Sequence, residues 1–186
     1  MTERVNADLA NTLGNLVRRT LAMTRKYFGG VVENKNVSEP VDEELKAVAV
    51  GVRAKVETCM NEFRIADALN ELFTLFRRAN KYIDETMPWA LGKDEGKKDR
   101  LATVLYNLTE AILTGASLLS PFLPATAEKI AGYLNAPLKS LEACDAFGSY
   151  PSGNTIAAED EALFAFEKHL DGEHWFIAGN FSDKEI

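Results

Sequence analysis

Apolar side chains return every three or four positions from the start of the chain. At about 100° per residue, Val5, Leu9, Leu13, Leu16, Thr20, Thr24 and Tyr27 form one stripe with Val17 and Phe28 at its edge. The stripe predicts a helix over 5–28 that packs those residues into a core. Gly29–Gly30 stops it, because glycine tolerates the left-handed conformation of a helix end. The turn formers Asn34, Asn36, Ser38 and Pro40 follow. Asp42, Glu43 and Glu44 then supply the negative first turn of a second helix over about 41–59, carried by Leu45, Val48, Ala49, Val52 and Val56. Asn61 is expected to cap a third helix that begins near Glu62. Its stripe, Phe63, Ala66, Leu69, Leu72, Phe73, Phe76 and Ile83, is the strongest in the chain and predicts the helix that lies deepest.

Pro88 ends that helix, since proline restricts the residue before it and lacks an amide hydrogen, and Trp89 falls just beyond the end. Lys93–Arg100 reads as a charged loop. A fourth helix starts near Asp99 on Leu101, Val104, Leu105, Leu108, Ile112 and Leu119, and a fifth over 125–134 follows a turn bracketed by Pro121 and Pro124. Beyond Asn135 the pattern weakens to turns at Gly148, Pro151, Gly153 and Asn154, with a short helical patch expected around 159–170. There is no sustained strand alternation and no internal repeat. The fold class is all-α: an antiparallel bundle of about five helices in a domain over 1–138, with an irregular acidic C-terminal tail over 139–186.

At 186 residues, 46% of them apolar, the chain suits one well-buried domain. No run is long enough to span a bilayer, and the start lacks the features of a secretory signal, so no membrane partner and a cytoplasmic location are expected. Cys59 and Cys144 suggest neither a disulfide framework nor a metal knuckle. The net charge of −7 is unevenly placed: residues 139–186 carry three Lys against ten Asp plus Glu, which leaves 1–138 neutral. Residues 1–30 are at +3, and 77–100, around Trp89, at +2, enough for local phosphate contact.

No glycine-rich phosphate loop, nucleophile elbow or helical histidine pair is present, and both histidines, His169 and His174, lie in the acidic tail. Glu43–Glu44 and 159–161 read as solvated helix starts. No catalytic residue, cofactor site or metal site is expected. Asn15 and Arg19 differ: they are four apart, so they leave the helix on one side, away from the apolar stripe. An amide matches the edge of a base, a guanidinium matches a base or a phosphate, and an indole such as Trp89 stacks on an unpaired base. Each also has an ordinary reading, a solvated helix face for Asn15 and Arg19 and a core plug for Trp89.

Two long runs carry a resemblance. Val5-Asn6-Ala7-Asp8-Leu9-Ala10-Asn11-Thr12-Leu13-Gly14-Asn15-Leu16-Val17-Arg18-Arg19-Thr20 and Asn80-Lys81-Tyr82-Ile83-Asp84-Glu85-Thr86-Met87-Pro88-Trp89-Ala90-Leu91 closely resemble the anticodon-binding domain of methionyl-tRNA synthetase, a class I aminoacyl-tRNA synthetase. The similarity continues through Leu119-Ser120-Pro121-Phe122-Leu123-Pro124, a run generic to related synthetases, and covers about 3–135. It implies that Asn15 reads the first anticodon base, that Arg19 contacts the anticodon from the same helix face, and that Trp89, positioned by Pro88, meets the first base. The implied partners are the CAU anticodon loop of methionine tRNAs, rather than DNA, and the catalytic domain of the same synthetase. Arg18, Arg25 and Lys93 are weaker candidates for the loop backbone.

The family's catalytic part, with its His-Ile-Gly-His-like signature, its Lys-Met-Ser-Lys-Ser-like loop and a zinc knuckle, has no counterpart here. ATP, and zinc where present, would belong to that part of the parent ligase, and this chain reads as a non-catalytic excised domain or truncated gene product. The family's Leu-Phe-Pro-Arg in the tail is replaced by Leu163-Phe164-Ala165-Phe166-Glu167. Phe166, Trp175 and Phe176 are candidates to cover an apolar surface there. Two rivals remain: the anticodon domain of another class I synthetase, and a helical protein-interaction module derived from this one.

Overall fold

A computed structural model describes residues 8–157, 163–170 and 173–180, with side chains described over 11–157. Val5, and the side chains of Leu9, Phe166, Trp175 and Phe176, lie outside these. Among the described residues, the architecture is the expected helical bundle. The chain enters through a π-helical turn, Asp8–Gly14, and continues as α1, Asn15–Phe28. α2 is Pro40–Asn61, α3 Ile65–Thr86, α4 Lys98–Leu119 and α5 Pro124–Leu134. None of these helices is long and apolar enough to cross a membrane.

Three expectations are corrected in the α2–α4 region. Asn61 is the last residue of α2 and not the cap of α3. The turn closes with Phe63 N–H donating to the Met60 carbonyl (3.0 Å) and Arg64 N–H to the Cys59 carbonyl (2.9 Å), the paired bonds that satisfy the last carbonyls of a helix. Phe63 holds the left-handed position at φ 57° and is 90% exposed, so it does not join the buried stripe. The deepest helix is α4 rather than α3: residues 100–119 are buried throughout, whereas α3 buries one face. Small residues let neighbours close on α4, and a side chain at Gly115 would place its Cβ 2.2 Å from Phe76 Cε1. Hydroxyls that look solvent-facing in sequence bond back to their own helix, Thr109 to the Leu105 carbonyl (2.9 Å) and Ser117 to the Leu113 carbonyl (2.7 Å).

Glu110, fully buried on α4, ties down the segment after α5. It pairs with Lys139 and accepts from the backbone amides of Gly148 (2.9 Å), Ser149 (2.9 Å) and Tyr150 (2.7 Å). Burial pushes its carboxyl up, but the Lys139 hydrogen bond and charge and the backbone amides outweigh that and hold it below its ordinary value. Tyr150, itself buried, donates from its hydroxyl to the Leu134 carbonyl (2.8 Å). β1 (Val31–Val32) then pairs antiparallel with β2 (Asn154–Thr155), which returns the chain to the end of α1.

The helical patch expected around 159–170 is overturned over 163–170, and its first residues, 159–162, lie outside the described ones. Leu163–Leu170 is a strand, β3, paired antiparallel with β4, Glu173–Asn180. The sequence between them is Asp171-Gly172, the pair that two-residue hairpin connections favour.

Candidate nucleic-acid interface

The end of α1 that carries Asn15 is fixed by its irregular start. A π-helical turn displaces carbonyls from the regular ladder, and two side-chain amides reach two of them. Asn15 donates to the Asn11 carbonyl (2.9 Å), and Asn80 on α3 donates to the Thr12 carbonyl (3.0 Å). The start of α1 is thereby stitched to the middle of α3. Asn15 is half-buried, with its amide donating along its own helix.

Arg19, one turn further on, meets two groups that come from the end of α3. Its Nη2 lies 3.2 Å from Asp84 Oδ1, and its guanidinium carbon stands 5.9 Å from the centre of the Trp89 ring. α3 ends at Thr86, Met87 turns left-handed at φ 44°, and a single helical turn, Pro88–Leu91, begins. Pro88 is buried at the first helical position, where its missing amide hydrogen leaves no bond unmade. Trp89 therefore lies inside a short helix rather than beyond one. The residue is 42% exposed, so the core-plug reading does not describe it.

Behind this turn, α3 is held by a buried polar network. The Tyr82 hydroxyl donates to Asp42 Oδ1 (2.7 Å) and accepts from Asn107 Nδ2 (3.2 Å), while Arg100 binds both carboxylate oxygens of Asp42 at 2.7 Å. Burial pushes Asp42 up, yet hydrogen bonds from Arg100 and Tyr82 bring it below its ordinary value. Burial pushes the Tyr82 phenol far above its own. The network joins the start of α2, the last turns of α3 and the start of α4, so the element bearing Trp89 leaves a fixed platform.

Arg18, Arg19 and Trp89 line one groove of about 270 Å³. Asn15, Arg25 and Lys93 do not line it. Arg25 donates to the Ala157 carbonyl (2.7 Å) and helps hold the segment after β2, and Lys93 is exposed in the loop past the Trp89 turn. The residues that sequence reasoning missed are Asp84 and the platform of Tyr82, Asp42 and Arg100. Asp84 stands in the quoted run, but its pairing with Arg19 joins positions 65 apart, which a one-dimensional pattern does not display.

The family described as the anticodon-binding domain of tRNA ligase matches residues 42–168. The chain belongs to this family. Its relatives place it in the methionyl group. It is 47% identical to the methionine–tRNA ligase of Clostridium tetani over 162 residues, 87% of this chain and 25% of that protein. It is 50% identical to that of Caldanaerobacter subterraneus subsp. tengcongensis over 130 residues, 70% of this chain and 20% of that protein. In three dimensions it matches Mycobacterium tuberculosis methionyl-tRNA synthetase in complex with methionyl-adenylate, with a TM-score of 0.78 and 31% identity over 86% of this chain and 32% of that one. The chain thus spans a quarter or less of the length of these two curated relatives and is an anticodon-binding domain of methionyl-tRNA synthetase. The family match begins within α2, so it contains Pro88 and Trp89 and leaves α1, with Asn15 and Arg19, outside.

Proposed function

We propose that this domain binds the CAU anticodon loop of methionine tRNAs and presents the tRNA to the catalytic domain of the same synthetase, which attaches methionine at the expense of ATP. Trp89, set by Pro88, takes the first anticodon base. Arg19 contacts the anticodon beside it, and Asn15 supplies an amide one turn away. Arg18 approaches the loop backbone. No residue of this chain takes part in bond making, and zinc, where the parent has it, belongs to the other part.

The observation that carries this reading is the exposed Trp89, faced by a guanidinium at 5.9 Å and mounted on a helical turn that begins at the buried Pro88. A flat, wet aromatic face beside a planar donor fork is what an unpaired base requires. Few cations surround it, so the isolated domain binds tRNA weakly and with a shallow salt dependence. The test compares binding of methionine tRNA, and of the same tRNA with its first anticodon base changed, at low and moderate salt, with Trp89→Ala as the control. A preference for the native anticodon that Trp89→Ala erases supports the reading; equal binding of both tRNAs overturns it.

A protein-binding reading rests on a different surface. Met60, Phe63 and Ile65 are exposed together at the α2–α3 turn, at the far end of α3 from Trp89, about 33 Å away at 1.5 Å per residue over its 22 residues. If this surface is the functional one, Phe63→Ser abolishes activity restored by adding the catalytic part and Trp89→Ala does not.

A further inference from the structure

The groove that begins at Arg19 and Trp89 does not end there. It runs on along α1 in two parallel rows of residues four apart, each step about 6 Å along the helix. The inner row continues from Arg19 to Met23 and Tyr27, and the outer row passes from Arg18 over Ala22 to Lys26. Met23 and Tyr27 are half-buried and pack against the core, which gives the groove an apolar floor; Ala22 is small and exposed, which keeps its outer side low. Cations stand at both ends. The Lys26 ammonium lies 5.4 Å from the centre of the Tyr27 ring, as Arg19 lies over Trp89 at the other end.

Tyr27 is fixed in this place by Gly92. A side chain at position 92 would put its Cβ 2.3 Å from Tyr27 Cε1, so the phenol ring rests directly against the backbone that follows the Trp89 turn. Tyr27 therefore packs against the segment that carries Trp89, although the two come from different helices.

We infer that the lower groove, floored by Met23 and Tyr27 and flanked by Arg18 and Lys26, is a second nucleotide subsite, which takes the unpaired ribonucleotide next to the one at Trp89. The base lies against the apolar floor, where desolvation and ring contact favour it whatever its identity. Its phosphates lie at the outer cations. This inference rests on the anticodon-reader assignment and adds residues to it: Lys26, Tyr27 and Met23 supply affinity, and Trp89 and Arg19 supply choice of base. At about 270 Å³ the groove falls just below the ~300–1,000 Å³ of pockets that enclose whole small molecules. It is an open face that wraps its occupants only partly, one nucleotide at Trp89 and the next on the floor beyond it.

The test uses the full chain and RNA hairpins whose loop carries CAU, read by fluorescence anisotropy at several salt concentrations. In a parallel set, each loop nucleotide in turn is replaced by an abasic one, which removes the base and keeps the phosphate. Tyr27→Leu is expected to weaken the intact hairpin roughly tenfold and to have no effect on the hairpin that is abasic next to the first anticodon position. Lys26→Gln, an exposed change that leaves packing alone, is expected to lower the slope of log affinity against log salt by about 0.7. Both variants keep the preference for the first anticodon base. If both variants bind every hairpin as the unaltered chain does, while Trp89→Ala loses that preference, the subsite is refuted and the reader assignment stands. If the unaltered chain has no preference for Trp89→Ala to lose, the reader assignment falls and the subsite with it.

Discussion

Replacing Glu110 by Gln removes one charge from a pair that is closed to solvent: the Lys139 side chain is 4% exposed and that of Glu110 is fully buried. Breaking such a pair from one side costs about 3–5 kcal/mol, because the remaining ammonium stays buried without its counter-charge. Geometry adds to this. One oxygen of Glu110 accepts from Lys139, Gly148 and Ser149, and the other accepts from Tyr150. A glutamine has a single acceptor oxygen, so it must turn an NH₂ toward either the Tyr150 amide or the trio opposite. For a chain of this length the loss corresponds to a fall in melting temperature of roughly 6–20 °C.

Thermal unfolding followed by circular dichroism at neutral pH reads this directly, with the Lys139→Met single and double variants closing a mutant cycle. The pH dependence supplies an independent check. Because the folded carboxyl of Glu110 sits below its ordinary value of 4.5, its contribution is complete above that value and is lost as the pH falls through the folded one. The gap between the unaltered chain and Glu110→Gln should therefore be widest at neutral pH and narrow in acid. A shift of less than about 1 kcal/mol at pH 7, where an exposed pair would lie, or a gap that widens in acid, refutes the account of Glu110 as the clamp of the C-terminal segment.

Asp84→Asn removes a partner from an exposed pair, so melting should change by less than about 1 kcal/mol, while the distinction between matched and altered anticodons narrows in a binding assay; an unchanged distinction would detach Asp84 from the site. Gly115→Ala forces a methyl group into Phe76 and should cost about 1–3 kcal/mol in a denaturant titration. Gly92→Ala drives Tyr27 from its seat. Tyr27 is half-buried and lines the groove, so RNA affinity should drop more than stability, and a loss confined to stability counts against its role there. Asp42→Asn leaves the buried Arg100 with only the longer, exposed pairing to Glu39 (3.4 Å) and should cost about 3–5 kcal/mol, read by urea unfolding at neutral pH.

The helical class and most helix positions were legible because an amphipathic stripe records which side of a helix meets the core. Depth was not. α3 has the cleaner stripe but buries only one face, while α4 is buried all round because its polar residues are satisfied locally or from far away. The hydroxyls of Thr109 and Ser117 return to carbonyls four residues back, and Glu110 finds its partners 29 to 40 positions on. Such a helix reads as having a solvent face that it lacks. The β3–β4 hairpin is hidden because the run from Leu163 to Leu170 shows no clean alternation of apolar and polar residues, although Asp171-Gly172 is a pair that two-residue connections favour. At the candidate site, the spacing of Asn15 and Arg19 followed from helix geometry. The exposure of Trp89 did not, since a proline fixes where a turn begins and leaves open which way the next side chain faces.

What unites the site is that the irregular backbone at its two ends is fixed from several sides. The π-helical turn takes up the amides of Asn15 and Asn80, the left-handed Met87 leads into Pro88, and the last turns of α3 are held by Tyr82, Asp42 and Arg100. A surface so restrained loses little conformational freedom on meeting a ligand, which favours affinity from few contacts. Arg19, however, is already engaged, with Asp84 on one side and Trp89 on the other. On the anticodon-reader assignment, a base that enters beside Trp89 must compete with Asp84 for the guanidinium. A base whose edge offers acceptors in the right place replaces that contact, and one that does not leaves Arg19 with its carboxylate and adds a second polar group without a partner. Discrimination then comes from a difference between two occupied states of the same arginine, and Asp84, which touches no base in this scheme, sets the threshold that a base has to exceed.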